Sequence, residues 1–174
     1  MSGAVERTRI IAPAGDLGRS FKDVFSELAS GVCVVTFWRG HRLHGFTATS
    51  VTSVSLDPLR VLFCVSVSSE SFSYLRAGSD VGISILSAEQ RALSDRFASK
   101  AGLGAYDDIG IVEGAWPAPL IDGALGHITA VVSDRIPSGD HAIILCDVNS
   151  AQAVGGGSPL LYCRRSYHSL RHNL

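Results

Sequence analysis

The chain lacks the features that would tie it to nucleic acid, to a bilayer or to an oxidising compartment. Its formal net charge is −1, with 15 lysines and arginines against 16 acidic residues. Such a balance sets up no bulk attraction for a polyanion. The only basic cluster, Arg164-Arg165, is too short for a nucleic-acid patch. No apolar run approaches the ~20 residues that span a hydrocarbon core. Residues 1–18 carry Arg7 and Arg9 and no apolar stretch ending in a cleavage-like site, so they read as a flexible arm, not a leader. Cysteine is scarce: Cys33, Cys64, Cys146 and Cys163 each sit in an apolar run, and none has C-x-x-C spacing. They read as buried free thiols, which suits a reducing cytoplasm.

Catalytic signatures are missing as well. No G-x-S-x-G elbow, P-loop or G-x-G-x-x-G occurs, and Gly155 to Gly157 lead into neither a third spaced glycine nor a helix. Any dinucleotide must therefore bind without the Rossmann fingerprint. His41 and His44 are spaced H-x-x-H, and His168 and His172 H-x-x-x-H, but no local cysteine or carboxylate completes either set. No metal site is expected.

What is present is enough apolar sequence for one core. Hydrophobic residues make up 46% of 174 and charged residues 18%, which predicts a single folded domain over 19–174. Ser20 is placed to cap a helix whose apolar positions Phe21, Val24, Phe25 and Leu28 end at Gly31. Val32 to Trp38 is β-branched and aromatic and predicts a strand, with a hairpin turn over His41 to Gly45 and a second strand from Phe46 to Val54. Asp57-Pro58 marks a turn. Val61 to Val67, Val81 to Leu86, Ile128 to Arg135, His141 to Ala153 and Leu160 to Cys163 predict further strands. Ser71 suits the cap of a short helix through Leu75. Ser87 and Gln90 form a capping box for a helix to about Ala98. Residues 99–124 have no sustained period and predict a long surface loop. Strands joined by short turns favour an antiparallel barrel with peripheral helices over a βαβ sheet.

Three segments offer chemistry. Thr47-Ala48-Thr49-Ser50-Val51-Thr52-Ser53 places five hydroxyl residues among small neighbours. Small side chains leave the main chain open to a flat heterocycle, and hydroxyls both donate and accept; the plainer alternative is a Ser/Thr-rich edge strand. Ser66 to Ser71 follows a strand and opens a helix, where free N–H groups attract phosphate, or Ser71 simply caps it. Lys100 beyond the next helix would add positive charge, or be a solvated surface lysine. Gly139-Asp140-His141 puts an imidazole at the mouth of a strand, to hydrogen-bond an amide or to sit in solvent. The tail Arg164 to His168 closes over a site or covers a barrel end.

Together these blocks resemble the flavin reductase-like family with the FMN-binding split-barrel fold. The resemblance runs from about Ser20 to His168. It rests on Phe25 with Ala29-Ser30-Gly31-Val32-Cys33-Val34-Val35-Thr36, then Gly45 to Ser50 and Ser53 to Pro58, then Ser68 with Ser71. Gln90, Leu93 and Phe97-Ala98 follow, then Gly139-Asp140-His141, and Pro159-Leu160-Leu161-Tyr162 with Tyr167.

The resemblance implies a mainly β protein, a six-stranded antiparallel Greek-key split β-barrel with peripheral helices, assembled as a homodimer. It implies an NAD(P)H:flavin oxidoreductase that reduces FAD or FMN with NADH or NADPH and supplies diffusible reduced flavin to a partner monooxygenase. Thr47, Ala48, Thr49, Ser50, Val51, Ser53 and Val54 would line the flavin. Ser68 and Ser71 would approach its phosphate, with Phe97, Ala98 and Lys100 on the phosphate or adenine side. His141 and Tyr167 would lie by the nicotinamide, with His141 orienting it. Thr49 stands where the family often has asparagine, and Cys146 where glycine is frequent. Two rivals stay open: a non-catalytic flavin-binding or flavin-sensing module, and a pyridoxamine-phosphate-oxidase-like enzyme, which would carry more arginine and lysine around the phosphate.

Overall fold

Cys33-Val34-Val35-Thr36-Phe37-Trp38 makes a strand buried on both faces because β-branched and aromatic side chains pack well on a pleated surface. In the computed structural model, which describes residues 15–99 and 105–170, this strand is β2 (Cys33–Arg39), and five of its residues in succession are buried. Alternate side chains point to opposite faces. Cys33, Val35 and Phe37 join a core with Phe63, Ile83, Val132 and Ile144, while Val34 joins a second core with Leu86, Phe97, Tyr106, Ile121 and Leu160. A strand buried on both faces reads as a continuous apolar run, as this one does.

The main sheet is antiparallel throughout. Its strands are β3 (Arg42–Ala48), β2, β6 (Asp80–Ile85), β7 (Gly126–Ser138), β8 (His141–Ala153), β5 (Leu59–Ser66) and β4 (Thr52–Leu56), in that spatial order. A small second sheet orders β1 (Ser30–Gly31), β9 (Leu160–Cys163) and β10 (Ser166–Ser169) as β1-β9-β10. The expected class, a mainly β antiparallel split barrel, is what the chain adopts; the main sheet has seven strands where six were expected. Its two edge strands, β3 and β4, are consecutive in sequence but share no ladder. The sheet curls so that Phe46 of β3 meets Phe63 of β5 edge-on, with ring centroids 5.9 Å apart. Thr49 to Val51 crosses the gap between the unpaired edges.

Helix α1 (Leu17–Ser26) starts before the expected cap. Asp16, not Ser20, is the N-cap, its carboxylate accepting from the Gly18 N–H at 2.9 Å. Aspartate caps as well as serine, and the earlier cap adds a turn. Leu17 and Gly18 of the expected arm are therefore helical; its residues 1–14, and Lys100, lie outside the described residues. The turn after β5 is capped by Ser69, not Ser71, with Ser69 accepting from Phe72 N–H at 3.3 Å. The Ser87–Gln90 capping box forms as expected and leads into α2 (Arg91–Ala98). The first hairpin turns at Gly40-His41, with Gly40 at φ 62 and Arg39 pairing Arg42, so the turn is tighter than the expected His41 to Gly45. His44 clusters with Phe37 and Tyr74, its ring centroid 6.1 and 6.5 Å from theirs, while His41 is exposed on the turn. No helix among the described residues is long and apolar enough to cross a membrane.

Residues 99–124 depart most from expectation. Ala118, Leu120, Ile121 and Ala124 are buried, so the end of this segment is part of the core. It is drawn in because the buried Thr36 hydroxyl donates to the Pro119 carbonyl at 2.5 Å, and the Ser84 hydroxyl accepts from Ile121 N–H at 2.9 Å. Gly82 makes room for this approach. A methyl group there would lie 2.7 Å from the Thr36 hydroxyl and closer still to the Pro119 carbonyl. We expect Gly82→Ala to cost about 2 kcal/mol through overpacking, read as a lower urea midpoint at unchanged slope. An unaltered midpoint would contradict this packing.

Candidate functional site

Thr49, Ser50 and Val51 belong to neither ladder. The β2–β3 register ends at Cys33–Ala48 and the β4–β5 register begins at Thr52–Leu62. Among the described residues the three make no backbone–backbone hydrogen bond. Main-chain N–H and C=O groups are strong hydrogen-bonding groups that folded proteins seldom leave without a partner. One contact fixes the segment: the Ser50 hydroxyl accepts from Cys64 N–H of β5 at 2.9 Å. Ser50 thus occupies the place a strand's carbonyl would take, and its own main chain is left to other partners.

This open segment forms one wall of a cavity of ≈ 1130 Å³. Cys33, Ile83, Ile128 and Val148 supply an apolar floor, and Phe21 and Phe25 of α1, with Leu28 just beyond the helix, overhang it. Burial raises the Cys33 thiol to about 11, so it presents a neutral surface. A large, mainly apolar recess with one polar wall is the usual form of a ligand site.

The expected site residues divide among several places. Thr49, Ser50, Val51 and Ser53 line the cavity. Ala48 is buried at the end of β3, and Val54 is exposed on β4. Thr47 faces α2: its hydroxyl donates to the Ser94 carbonyl at 2.6 Å, and the Ser94 and Tyr167 hydroxyls are 3.0 Å apart. Tyr167 meets Tyr162 edge-on at 5.2 Å, and burial raises its phenol above the ordinary value. The Phe97 side chain is core, only 2% exposed and stacked on Tyr106 at 4.4 Å, so it offers no ring to a ligand. Ala98 is exposed at the end of α2. The absence of a side chain at Gly45 lets the Phe97 ring approach β3, where a Cβ would lie 3.1 Å from it.

Ser68 and His141 do come together. Ser66 pairs with His141 across β5 and β8, the Ser66 and Ser68 hydroxyls are 3.0 Å apart, and Val67 N–H donates to the Asp140 carbonyl at 3.0 Å. Ser71 lies in the following turn, its carbonyl accepting from Tyr74 N–H at 3.1 Å. The His141 Nδ1 lies 2.8 Å from the Asp140 carboxylate, which this hydrogen bond holds below the ordinary carboxylate value. An ionised carboxylate only accepts, so Nδ1 carries a proton, and in the neutral form of the ring Nε2 is the acceptor. Ser50 reaches β5 at Cys64 on one side and His141 pairs with it at Ser66 on the other. The two lie about 7 Å apart along the strand.

Comparison with known proteins shows the family to which the chain belongs. Residues 25–171 match the family model described as the flavin reductase like domain. This chain belongs to that family. Among relatives, the actinorhodin polyketide dimerase of Streptomyces coelicolor is 33% identical over 90% of this chain and 88% of its own length. The reductase component of 4-hydroxyphenylacetate 3-monooxygenase from Thermus thermophilus is 32% identical over 87% of this chain and 95% of its own. Among solved structures, the NADH:FAD oxidoreductase SgcE6 of Streptomyces globisporus C-1027, in complex with NAD and FAD fragments, superposes with a TM-score of 0.83. It is 31% identical, over 92% of this chain and 98% of that one.

The sequence alone does not show the contribution of α1 to this cavity. The stripe Phe21, Val24, Phe25, Leu28 implies a helix docked on a core, yet these residues are 60%, 70%, 55% and 60% exposed and no residue of α1 is buried. Periodicity identifies an apolar face; it does not identify what covers it. The walls can be probed through the free thiols. Burial raises Cys146 to about 12 as well as Cys33. At pH 8 almost no thiolate is present at either position. Iodoacetamide should label Cys64 and Cys163 first and spare Cys33 and Cys146 until the chain unfolds; labelling of Cys33 as fast as Cys163 would contradict a dry cavity floor.

Proposed function

We propose that this protein is an NAD(P)H-dependent flavin reductase, taking FAD or FMN into the cavity beside Thr49 to Val51 and releasing reduced flavin to a separate flavin-dependent monooxygenase. One observation carries the reading: in a member of the flavin reductase-like family, three successive residues that have no main-chain hydrogen bond among the described residues line a mainly apolar cavity. The group fits. A flavin's pyrimidine end asks for donors and acceptors, its dimethylbenzene end for apolar surface, and the two kinds of wall are present together. The relative named as a monooxygenase reductase component supports delivery to a partner enzyme.

Flavin and nicotinamide, when both are bound, supply the hydride chemistry between themselves, so no protein nucleophile is needed. The chain's work is positioning and charge stabilisation. N–H groups of Thr49 to Val51 stabilise negative charge developing at the pyrimidine edge, and the hydroxyls of Thr49 and Ser53 adjust to either hydrogen-bonding sense. His141 Nε2 would accept from a carboxamide N–H and so orient a bound nicotinamide, with Asp140 fixing the tautomer that this requires. Ser68 and its neighbour Ser66 offer hydroxyl donors to a phosphate. The Tyr167–Ser94–Thr47 chain braces the strand that leads into the open segment.

The uncovered stripe of α1, continued by Leu56 at 83% and Leu59 at 51% exposure, favours a homodimer that covers it. Four free thiols suit a cytoplasmic setting.

Purified protein mixed with NADH and excess FAD, FMN or riboflavin should oxidise NADH through many turnovers, followed at the NADH absorbance band. Tight flavin binding without NADH oxidation would instead support the non-catalytic module. His141→Ala should raise KM for NADH about tenfold, the loss of one good hydrogen bond, with flavin affinity changed less than about twofold. Unchanged kinetics would remove His141 from the nicotinamide site.

A further inference from the structure

The hairpin between β9 and β10 is built against the preference of its own backbone. Cys163 pairs with Ser166, so the turn has two residues, Arg164 at φ 51 and Arg165 at φ 60. Two-residue turns with both centres left-handed favour Asn-Gly, and a longer side chain there is strained. Arg164 repays its share by seating α1: its N–H donates to the Ser26 carbonyl at 2.6 Å and its Nε to Glu27 at 2.7 Å. Arg165 makes one contact with α1, Nη2 to Asp23 at 2.5 Å, and remains largely exposed. A guanidinium has five donors, so most of its hydrogen-bonding capacity is unused.

Arg165 sits where two cavities meet. Beyond α1 lies a smaller pocket of ≈ 730 Å³ lined by Asp16, Gly18, Arg19, Lys22, Asp23 and Arg165. Lys22 and Arg165 also line the large cavity. The Asp16 carboxylate is engaged as the helix cap and that of Asp23 by Arg165. Among the described residues Lys22 has no ion pair. Arg19, Lys22 and Arg165 outnumber the two carboxylates that line the pocket, both already engaged, although Lys22 also lies within electrostatic reach of the Asp140 carboxylate. We propose that this junction binds the pyrophosphate of a dinucleotide whose ring lies in the large cavity, with Arg165 and Lys22 as its two cationic contacts. The inference rests on the flavin reductase reading for the occupant of the large cavity. A guanidinium fork matches phosphate oxygens, and the strained turn aims it at the junction.

Selectivity between substrates with and without a pyrophosphate tests this. FAD carries one, riboflavin does not; NADH carries one, reduced nicotinamide mononucleotide does not. Arg165→Gly removes the guanidinium and relieves the backbone, so it should fold. It should lower either the FAD-over-riboflavin or the NADH-over-mononucleotide ratio of kcat/KM about tenfold, the worth of an exposed charge-assisted contact. Whichever ratio falls identifies the pyrophosphate's source. Lys22→Ala should lower the same ratio, and Arg164→Gly, which also relieves the turn, should leave it within about twofold. Both ratios unchanged in Arg165→Gly and Lys22→Ala would overturn the proposal, and so would an equal fall in Arg164→Gly. If the wild type reduced no flavin, the reading of the large cavity would fall first. Calorimetric titration with ADP, compared with adenosine, then decides the junction: equal ADP affinity in wild type and Arg165→Gly would overturn it.

Discussion

The structure turns on a ladder that is never formed. β3 and β4 are the two edges of one curled sheet, and pairing them would close the barrel and satisfy their main chains. Instead Thr49 to Val51 spans the gap, its N–H and C=O groups without main-chain partners among the described residues. Thr49 is exposed, but Ser50 and Val51 are half-buried, and leaving such peptide groups without partners costs on the order of 1–3 kcal/mol for each group that water cannot reach. A bound heterocycle with alternating donors and acceptors supplies those partners, which makes the open edge a site and not merely an imperfection.

The rest of the molecule holds that gap at a fixed width. On one side, Thr47 is tied to α2 through the Ser94 carbonyl, and Phe97 is packed against Gly45. On the other, Ser50 is fastened to Cys64 of β5, whose neighbour Phe63 reaches across to Phe46. The 118–121 segment plugs the sheet beside Thr36 and Gly82, so the strands cannot slide to close the split. Asp140 sets the protonated nitrogen of His141 at the far end of β5. Positioning of this kind is what a reaction carried out between two cofactors asks of its protein.

Much of this was legible in the residues, for identifiable reasons. Strands such as Cys33 to Arg39 announce themselves by composition, and Ser87 to Gln90 by its capping box. The hydroxyl segment stood out because small polar residues in a strand have no packing purpose. What stayed hidden depended on tertiary contacts. Phe46 to Val54 read as one strand because nothing local marks the break after Ala48; the break comes from sheet curvature. Residues 99–124 lack a period, yet Leu120 and Ile121 are buried because Thr36 and Ser84 anchor that segment by hydrogen bonds. β10 was missed because two arginines do not look like a hairpin turn. Phe97 fitted a family pattern, but its ring serves the core.

Main-chain amide resonances report most directly on whether the open edge receives the flavin. In isotope-labelled protein titrated with FAD, the N–H signals of Thr49, Ser50 and Val51 should move furthest and saturate together with flavin binding, ahead of those in the fully paired β6 and β7. Saturating flavin that left these three signals in place while others shifted would put the ring elsewhere and contradict the account.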